Sequence, residues 1–233
     1  MLRYILDFIK RNRLMDVIEA DVRSMYELAQ TIFDASCLAL LEGQSIDFDI
    51  YAKDRQINLL VVNTRKRLVE HLSVGEIKSP VGELIFMHLI NNVERIGDHS
   101  KNLFDLYRRL HGPLDHDEYY DRVVDMRNYL TSAFDKTKKS LFEDDDKTAR
   151  EVMDGHLQMV KDYERMVSEL FEDDKIETRQ ALAVLIIIRS FKRVSAHLKT
   201  ISSSAVNPFM LMGYRQMPEV EKEKGPKDED SGA

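Results

Sequence analysis

Apolar side chains recur at intervals of three and four positions through most of the chain, and this spacing predicts helices. In residues 15–42, Ile18, Val22, Met25 and Ala29 fall near one stripe, with charged residues away from it. Such a stripe is typical of a helix that buries one face. The same period appears in five later segments: residues 49–72, 80–111, 118–142, 147–171 and 177–203. Since no stretch alternates apolar and polar residues with period two, the sequence predicts an all-α protein without a sheet.

Glycine and proline mark the breaks between these segments. Gly43 follows the first one, where a helix often ends in a left-handed glycine. Gly112 and Pro113 close the first half of the chain. At the two ends, residues 1–14 are predicted to form a short amphipathic helix, and residues 210–233 form a charged tail that we expect to be disordered.

The two halves of the chain are related by an internal repeat. A shift of 98 positions places VERIGDHSKNL on FKRVSAHLKTI, so that His99 meets His197, and a shift of 101 places Phe33-Asp34 on Phe134-Asp135. A period near 100 residues indicates two homologous units, residues 15–113 and 114–209, of three helices each. The predicted architecture is therefore two pseudo-symmetric antiparallel three-helix bundles.

Composition excludes several classes of function. The net charge of −7 argues against a nucleic-acid-binding protein, which needs a basic face. No apolar run approaches the roughly 20 residues that span a bilayer. Cys37 is the single cysteine, so an internal disulfide is excluded. We predict that Cys37 is buried and that the protein is cytoplasmic. Eleven methionines and ten phenylalanines leave room for exposed apolar patches, which would suit a homodimer.

The third predicted helix carries the first candidate site. Glu94 and Asp98 are four positions apart, so both carboxylates project from one face and repel each other. A metal ion could compensate, with Asp54 and Asn58 facing the pair from the second helix. The alternative is that Glu94 pairs with Arg95 or with a neighbouring helix, and that Asp98 is solvated. In that alternative Gly97, which lies between them, only allows a close helix contact.

Together with the two repeats, the motif ERIGDHSKN resembles the PhoU family, whose members are cytoplasmic regulators of bacterial and archaeal phosphate uptake. The resemblance covers about residues 15–209. It includes YAKDRQIN at residues 51–58, which is similar to a D-x-x-I-D segment of the family and has Asn58 where a second aspartate is usual.

The resemblance implies a regulator and not an enzyme. The implied partners are a phosphate transporter component, either an ABC ATPase or a sodium–phosphate symporter, and a sensor histidine kinase. It also implies that Glu94, Asp98, Asp54 and Asn58 bind iron, zinc or another divalent or trivalent metal ion. A metal-binding or metal-storage protein is the alternative function.

The second repeat departs from the acidic pattern. Lys192 stands at the position of Glu94, and Ala196 stands at the position of Asp98. The resemblance therefore implies a metal site in the first repeat only. Lys192 and the adjacent Arg193 could hold an anion such as phosphate.

The alternative for these basic residues is an ion pair with the fifth helix, where Asp154 and Glu151 are the candidate partners. Catalytic motifs are missing from the sequence: there is no E-x-x-H, no P-loop and no G-x-S-x-G. We therefore predict that the protein is not an enzyme.

Overall fold

The computed structural model describes residues 13–74, 80–143 and 145–214. In these ranges it contains six long helices and no strand: α1 (Arg13–Glu42), α2 (Ile50–Val74), α3 (Val81–Leu110), α4 (Tyr120–Phe142), α5 (Asp146–Glu172) and α6 (Thr178–Val206). All six predicted helices are confirmed, and their ends differ from the predicted ones by no more than three residues. The predicted helix at the N-terminus lies almost wholly outside the described residues.

Local sequence signals account for several helix ends. Gly43 has a φ of 67° and donates its N–H to the carbonyl of Ala39 at 3.0 Å, which closes α1 as predicted. Asp145 caps the start of α5, because its side chain accepts hydrogen bonds from the backbone N–H groups of Lys147 and Thr148.

The chain also continues past α6. A short 3₁₀ helix spans Phe209–Leu211, Met212 is buried, and the N–H of Gly213 donates to the hydroxyl of Ser203 at 2.7 Å. Met212 and Gly213, which were predicted to belong to the charged tail, therefore pack on the helices, whereas Met210 and Tyr214 are exposed. The remainder of that predicted tail, residues 215–233, lies outside the described residues.

Each repeat is a three-helix bundle in which every helix contacts the other two. The first bundle consists of α1, α2 and α3, and the second consists of α4, α5 and α6. The bundles meet mainly through α3 and α6, with a smaller contact between α1 and α4. The third helix of each repeat thus forms the centre of the interface between the repeats.

Equivalent residues of the two repeats contact each other at this interface. The rings of Phe33 and Phe134 lie 5.1 Å apart between centroids, and those of His99 and His197 are stacked at 5.7 Å. Residues that contact their own equivalents are the mark of a two-fold axis. The internal repeat found in the sequence is therefore a pseudo-two-fold arrangement in space.

The two repeats share one hydrophobic core. Buried apolar side chains form a continuous cluster through both bundles. The ring of Phe33 contacts Phe191 as well as Phe134, and the hydroxyl of Tyr26 donates to the carbonyl of Phe134 at 2.8 Å. This shared packing makes the interface between the repeats part of the interior.

Buried ionisable groups lie near this core. Burial raises the pKa of Asp34 to about 6, and the negative charge of its equivalent, Asp135, adds to the rise. Cys37 is buried as predicted, and burial raises the pKa of its thiol. Of the helices in the described ranges, none is both long and apolar enough to cross a membrane.

A glycine on α5 allows that helix to approach α4 closely, and its replacement gives a stability prediction. A Cβ atom at Gly155 would lie 2.5 Å from Cε2 of Tyr129. The ring would have to move, so Gly155→Ala should lower the free energy of unfolding by about 1 kcal/mol or more, despite the better helix propensity of alanine. Urea denaturation measures the change.

Gly112→Ala is the matched control for that substitution. A Cβ atom at Gly112 would have no neighbour within 4 Å. We expect its effect to stay within about 0.5 kcal/mol. Equal losses for the two variants would contradict the steric explanation.

Candidate functional site

The predicted acidic site lies where α2 and α3 pack together. Asp54 of α2 is 7% exposed, and its Oδ2 atom accepts a hydrogen bond from Nζ of Lys101 at 2.8 Å. The same Nζ lies 3.6 Å from Oδ1 of Asp98. The structure therefore brings Asp54 and Asp98 together through a lysine ammonium group.

Glu94 is held separately by an arginine. Its Oε2 atom accepts a hydrogen bond from Arg65 of α2 at 3.0 Å. The neighbouring Arg95 instead lies 3.6 Å from Oδ2 of Asp98, three positions along α3. Pairing of Glu94 with a basic residue of a neighbouring helix was the alternative left open by the sequence, and the structure has that arrangement.

Asn58, the fourth predicted residue, is exposed on α2. Among the residues that the structure describes, no group of three or more histidine, cysteine, aspartate or glutamate side chains is placed to hold a metal ion. The four predicted side chains thus lie on facing helices as expected, but they form two ion-paired clusters and one exposed amide.

Sequence reasoning did not identify Lys101 as part of this cluster. Burial lowers its pKa, but the hydrogen bond to Asp54 and the charges of Asp54 and Asp98 raise the pKa above the ordinary lysine value. The side chain therefore stays protonated. The available signal was its position, since Lys101 lies three residues after Asp98 and seven after Glu94 on the same helix face.

Gly97 has a packing role in the same region. It is buried, and a Cβ atom there would lie only 3.0 Å from Cδ1 of Ile57 on α2. The missing side chain lets α2 and α3 approach, which brings Lys101 within reach of Asp54. The close helix contact considered for Gly97 from the sequence is thus present.

The corresponding region of the second repeat has a different arrangement. Nζ of Lys192 lies over the ring of Tyr163, 4.0 Å from its centroid, which is a cation–π contact. Glu151, one of its candidate partners, instead pairs with Lys136 at 2.8 Å. Arg193, the residue after Lys192, lies in a separate surface feature between the two repeats.

That feature is a groove of about 650 Å³ between α3 and α6. Its polar wall includes His99, Asn102 and Arg109 from α3, and Arg189 and Arg193 from α6. Sequence reasoning noticed Arg193 but not the groove. The groove depends on how the two repeats lie against each other, which the helical period does not reveal.

Two stacked histidines lie beside the groove. Nδ1 of His197 is 3.0 Å from Oδ1 of Asn92 on α3. Burial lowers the pKa of His197 to about 3, and the charges of His99 and Arg193 add to the fall. The pKa of His99 is also lowered, first by burial and then by Arg193. Both rings are therefore neutral at pH 7 and contribute packing to the interface.

The lowered pKa of His197 predicts a dependence of stability on pH. Below about pH 6.5 the unfolded chain takes up a proton at this residue and the folded chain does not, so stability falls as the pH falls towards 3. The unfolding free energy of the wild type should therefore be lower at pH 5 than at pH 7. In His197→Gln this decrease should be smaller by about 1 to 2 kcal/mol. Urea denaturation at the two pH values measures it.

The unfolding free energy of His197→Gln should still fall somewhat between pH 7 and pH 5. The pKa of His156 is lowered to about 4 by burial and by the charges of Lys199 and Lys192, so it acts in the same direction. An unchanged loss between pH 7 and pH 5 in His197→Gln would contradict the assignment to His197.

Comparisons with known proteins match this architecture. A family model described as the PhoU domain matches twice, at residues 22–106 and 123–205, once in each repeat and together over well more than half of the chain. The chain belongs to the PhoU family.

A solved PhoU structure supports the fold. The crystal structure of PhoU from Pseudomonas aeruginosa is similar with a TM-score of 0.74 and 17% sequence identity, over 84% of this chain and 96% of that one. No curated protein matches the chain. The PhoU family is a regulatory family, and membership in it implies a role in the regulation of phosphate uptake.

The acidic residues that match the PhoU motif do not fit a metal ion as they are arranged. The ammonium group of Lys101 lies between the carboxylates of Asp54 and Asp98, and Arg65 holds Glu94. A metal ion would have to displace these basic groups before carboxylate oxygens could surround it. Metal binding at these PhoU motif residues stays a prediction.

Proposed function

We propose that this PhoU-family protein is a cytoplasmic regulator that dampens phosphate uptake by contact with another protein. The observation that carries the proposal is the PhoU domain match to both repeats. The proposed partner is a phosphate transporter component, either an ABC ATPase or a sodium–phosphate symporter. A sensor histidine kinase is the partner through which the same contact would act on signalling.

An exposed apolar face on α2 supports a contact mechanism. Leu59, Val62 and Val69 are 61%, 59% and 54% exposed, and their spacing of three and seven positions places them on one side of the helix. Ile57 and Val61 face the core from the same helix. Apolar side chains grouped on a surface are typical of protein interaction sites.

Co-purification tests the contact. The full chain would be used as bait against the membrane fraction of phosphate-replete cells, with the ABC ATPase, the symporter and the sensor kinase each assayed. We expect Leu59→Glu with Val62→Glu to lose the transporter component, because two charges would have to be buried in the contact.

Phe171→Glu is the matched control for that experiment. Phe171 is 83% exposed at the end of α5, so the change adds a charge at another apolar surface residue. It should retain the transporter component. Recovery of the sensor kinase alone would assign the contact to signalling, and failure to recover any of the three would contradict the proposal. Light scattering of the purified chain tests the predicted homodimer.

Metal dependence is a further part of the proposal, with iron, zinc or another divalent or trivalent ion at Glu94, Asp98, Asp54 and Asn58. The ion pairs supply a sharp test, because Lys101→Met removes the competing ammonium group. Elemental analysis should then show higher metal occupancy than in the wild type, and Glu94→Ala with Asp98→Ala should abolish it.

The metal proposal fails if the purified wild type contains no metal and if added iron, zinc or manganese leaves the melting temperatures unaltered. This second condition applies to the wild type, to Lys101→Met and to Glu94→Ala with Asp98→Ala. The metal-storage alternative predicts several ions per chain, and the same elemental analysis tests it.

A further inference from the structure

The groove between α3 and α6 carries positive charge that is not neutralised by ion pairs. Three of its wall residues are the exposed arginines Arg109, Arg189 and Arg193. Within the described part of the chain, none of their guanidinium groups has an ion-pair or hydrogen-bond partner. Among the described residues of the wall, Asp105 carries the one carboxylate, and it accepts a hydrogen bond from the hydroxyl of Tyr51. In a chain with a net charge of −7, this is a local concentration of positive charge.

The spacing of the arginines suits a ligand with several anionic groups. Arg189 and Arg193 are four positions apart on α6, so they project from the same face, and Arg109 lines the groove from α3. Guanidinium groups bind phosphate oxygens through two parallel hydrogen bonds, and their positive field concentrates anions in a cleft. The lowered pKa of His99 reflects the same field, because Arg193 and Arg189 contribute to it after burial.

The size of the groove favours more than a single phosphate ion. Its volume of about 650 Å³ falls in the range of sites for small molecules. A second hollow continues from it along the helices and shares Leu106, Arg109 and Ile186 with it. Leu110 and Leu182 make this extension more apolar, which gives room for an uncharged part of a ligand.

We propose that the groove between the two repeats binds a small molecule that carries two or more phosphate groups, with Arg109, Arg189 and Arg193 holding the phosphates. The ligand contacts both α3 and α6, so its binding stabilises the pairing of the repeats. The groove is separate from the exposed face of α2, and the proposal does not depend on the identity of the protein partner.

Calorimetry on the full chain tests this inference. The probes are sodium tripolyphosphate, ATP, inorganic phosphate, sulfate and citrate, each at low and high salt. We expect tripolyphosphate and ATP to bind at least about tenfold more tightly than inorganic phosphate or sulfate, and high salt to weaken their binding. If ATP binds more tightly than tripolyphosphate, the adenine base of ATP occupies the apolar extension. If the two bind equally, the phosphate groups account for the affinity. Both results support the proposal.

Substitutions on α6 test the residues. Arg189→Gln and Arg193→Gln should each weaken tripolyphosphate binding by about tenfold or more, because each removes a charged hydrogen-bond donor. Both side chains are exposed and unpaired, so the variants should keep the wild-type melting temperature. Arg150→Gln, at an exposed arginine of α5 that does not line the groove, is the control and should bind like the wild type.

Three results would overturn the inference. They are an absence of binding at millimolar tripolyphosphate, an equal loss in the Arg150→Gln control, and binding of citrate as tightly as tripolyphosphate. Tripolyphosphate binding could fail while Leu59→Glu with Val62→Glu still loses the transporter component. In that case the groove is wrongly assigned and the proposed regulatory function stands.

Discussion

Replacement of Phe33 by alanine should lower the free energy of unfolding by about 3 to 5 kcal/mol, the largest effect that we expect for one substitution. Phe33 is fully buried, and its ring contacts Phe134 at 5.1 Å and Phe191 at 5.8 Å. Both partners belong to the second repeat. The substitution would thus leave a cavity where the two repeats share their core.

Urea denaturation followed by circular dichroism measures this effect. Phe171→Ala is the control, because Phe171 is 83% exposed and its removal should change stability by no more than about 0.5 kcal/mol. The wild type should unfold in a single transition, since its two repeats share one core. A loss below about 1 kcal/mol for Phe33→Ala, or separate transitions for the two repeats in the wild type, would contradict the shared core.

The second large effect is expected at the ion pair between α2 and α3. Lys101→Met should lower the free energy of unfolding by about 2 to 3 kcal/mol, because the carboxylate of Asp54 would stay buried without its charged partner. The expected loss is below that of a fully buried pair, since the side chain of Lys101 is 22% exposed and water screens part of the interaction.

A double substitution separates the charge effect from lost packing. Asp54→Asn with Lys101→Met removes both charges and should recover most of the stability. Urea denaturation of the two single variants and the double variant gives the coupling energy. A double variant as unstable as Lys101→Met alone would show that the loss comes from packing and not from the unpaired carboxylate.

The helices could be predicted from the sequence because their signals are strong and local. Each segment has a continuous apolar stripe. Gly43 marks the end of the first helix, and it has the left-handed φ that is typical of a glycine at that place. The repeat could be predicted because identical residues, such as His99 and His197, recur at shifts near 100 positions. Their direct contact in space then follows from the pseudo-two-fold axis, which the sequence alone did not locate.

The details of the site depend on packing between helices, so they could not be predicted in the same way. The helical period placed Asp54 on α2 and Glu94 with Asp98 on α3, but it did not show which basic residues would face them. The close contact of Gly97 with Ile57 sets how α2 lies on α3, and this brings Lys101 to Asp54. The arginine groove similarly requires the packing of α3 on α6, which joins residues that are far apart in the chain.

The rate of phosphate uptake tests the central claim, that this PhoU-family protein dampens phosphate import through a protein contact. It would be measured in phosphate-replete host cells that lack the protein and in the same cells supplied with the wild type, with Phe171→Glu, or with Leu59→Glu and Val62→Glu together. We predict that loss of the protein raises uptake, that the wild type and Phe171→Glu restore the lower rate, and that the α2 variant does not. An uptake rate that is unaffected by loss of the protein would contradict the claim.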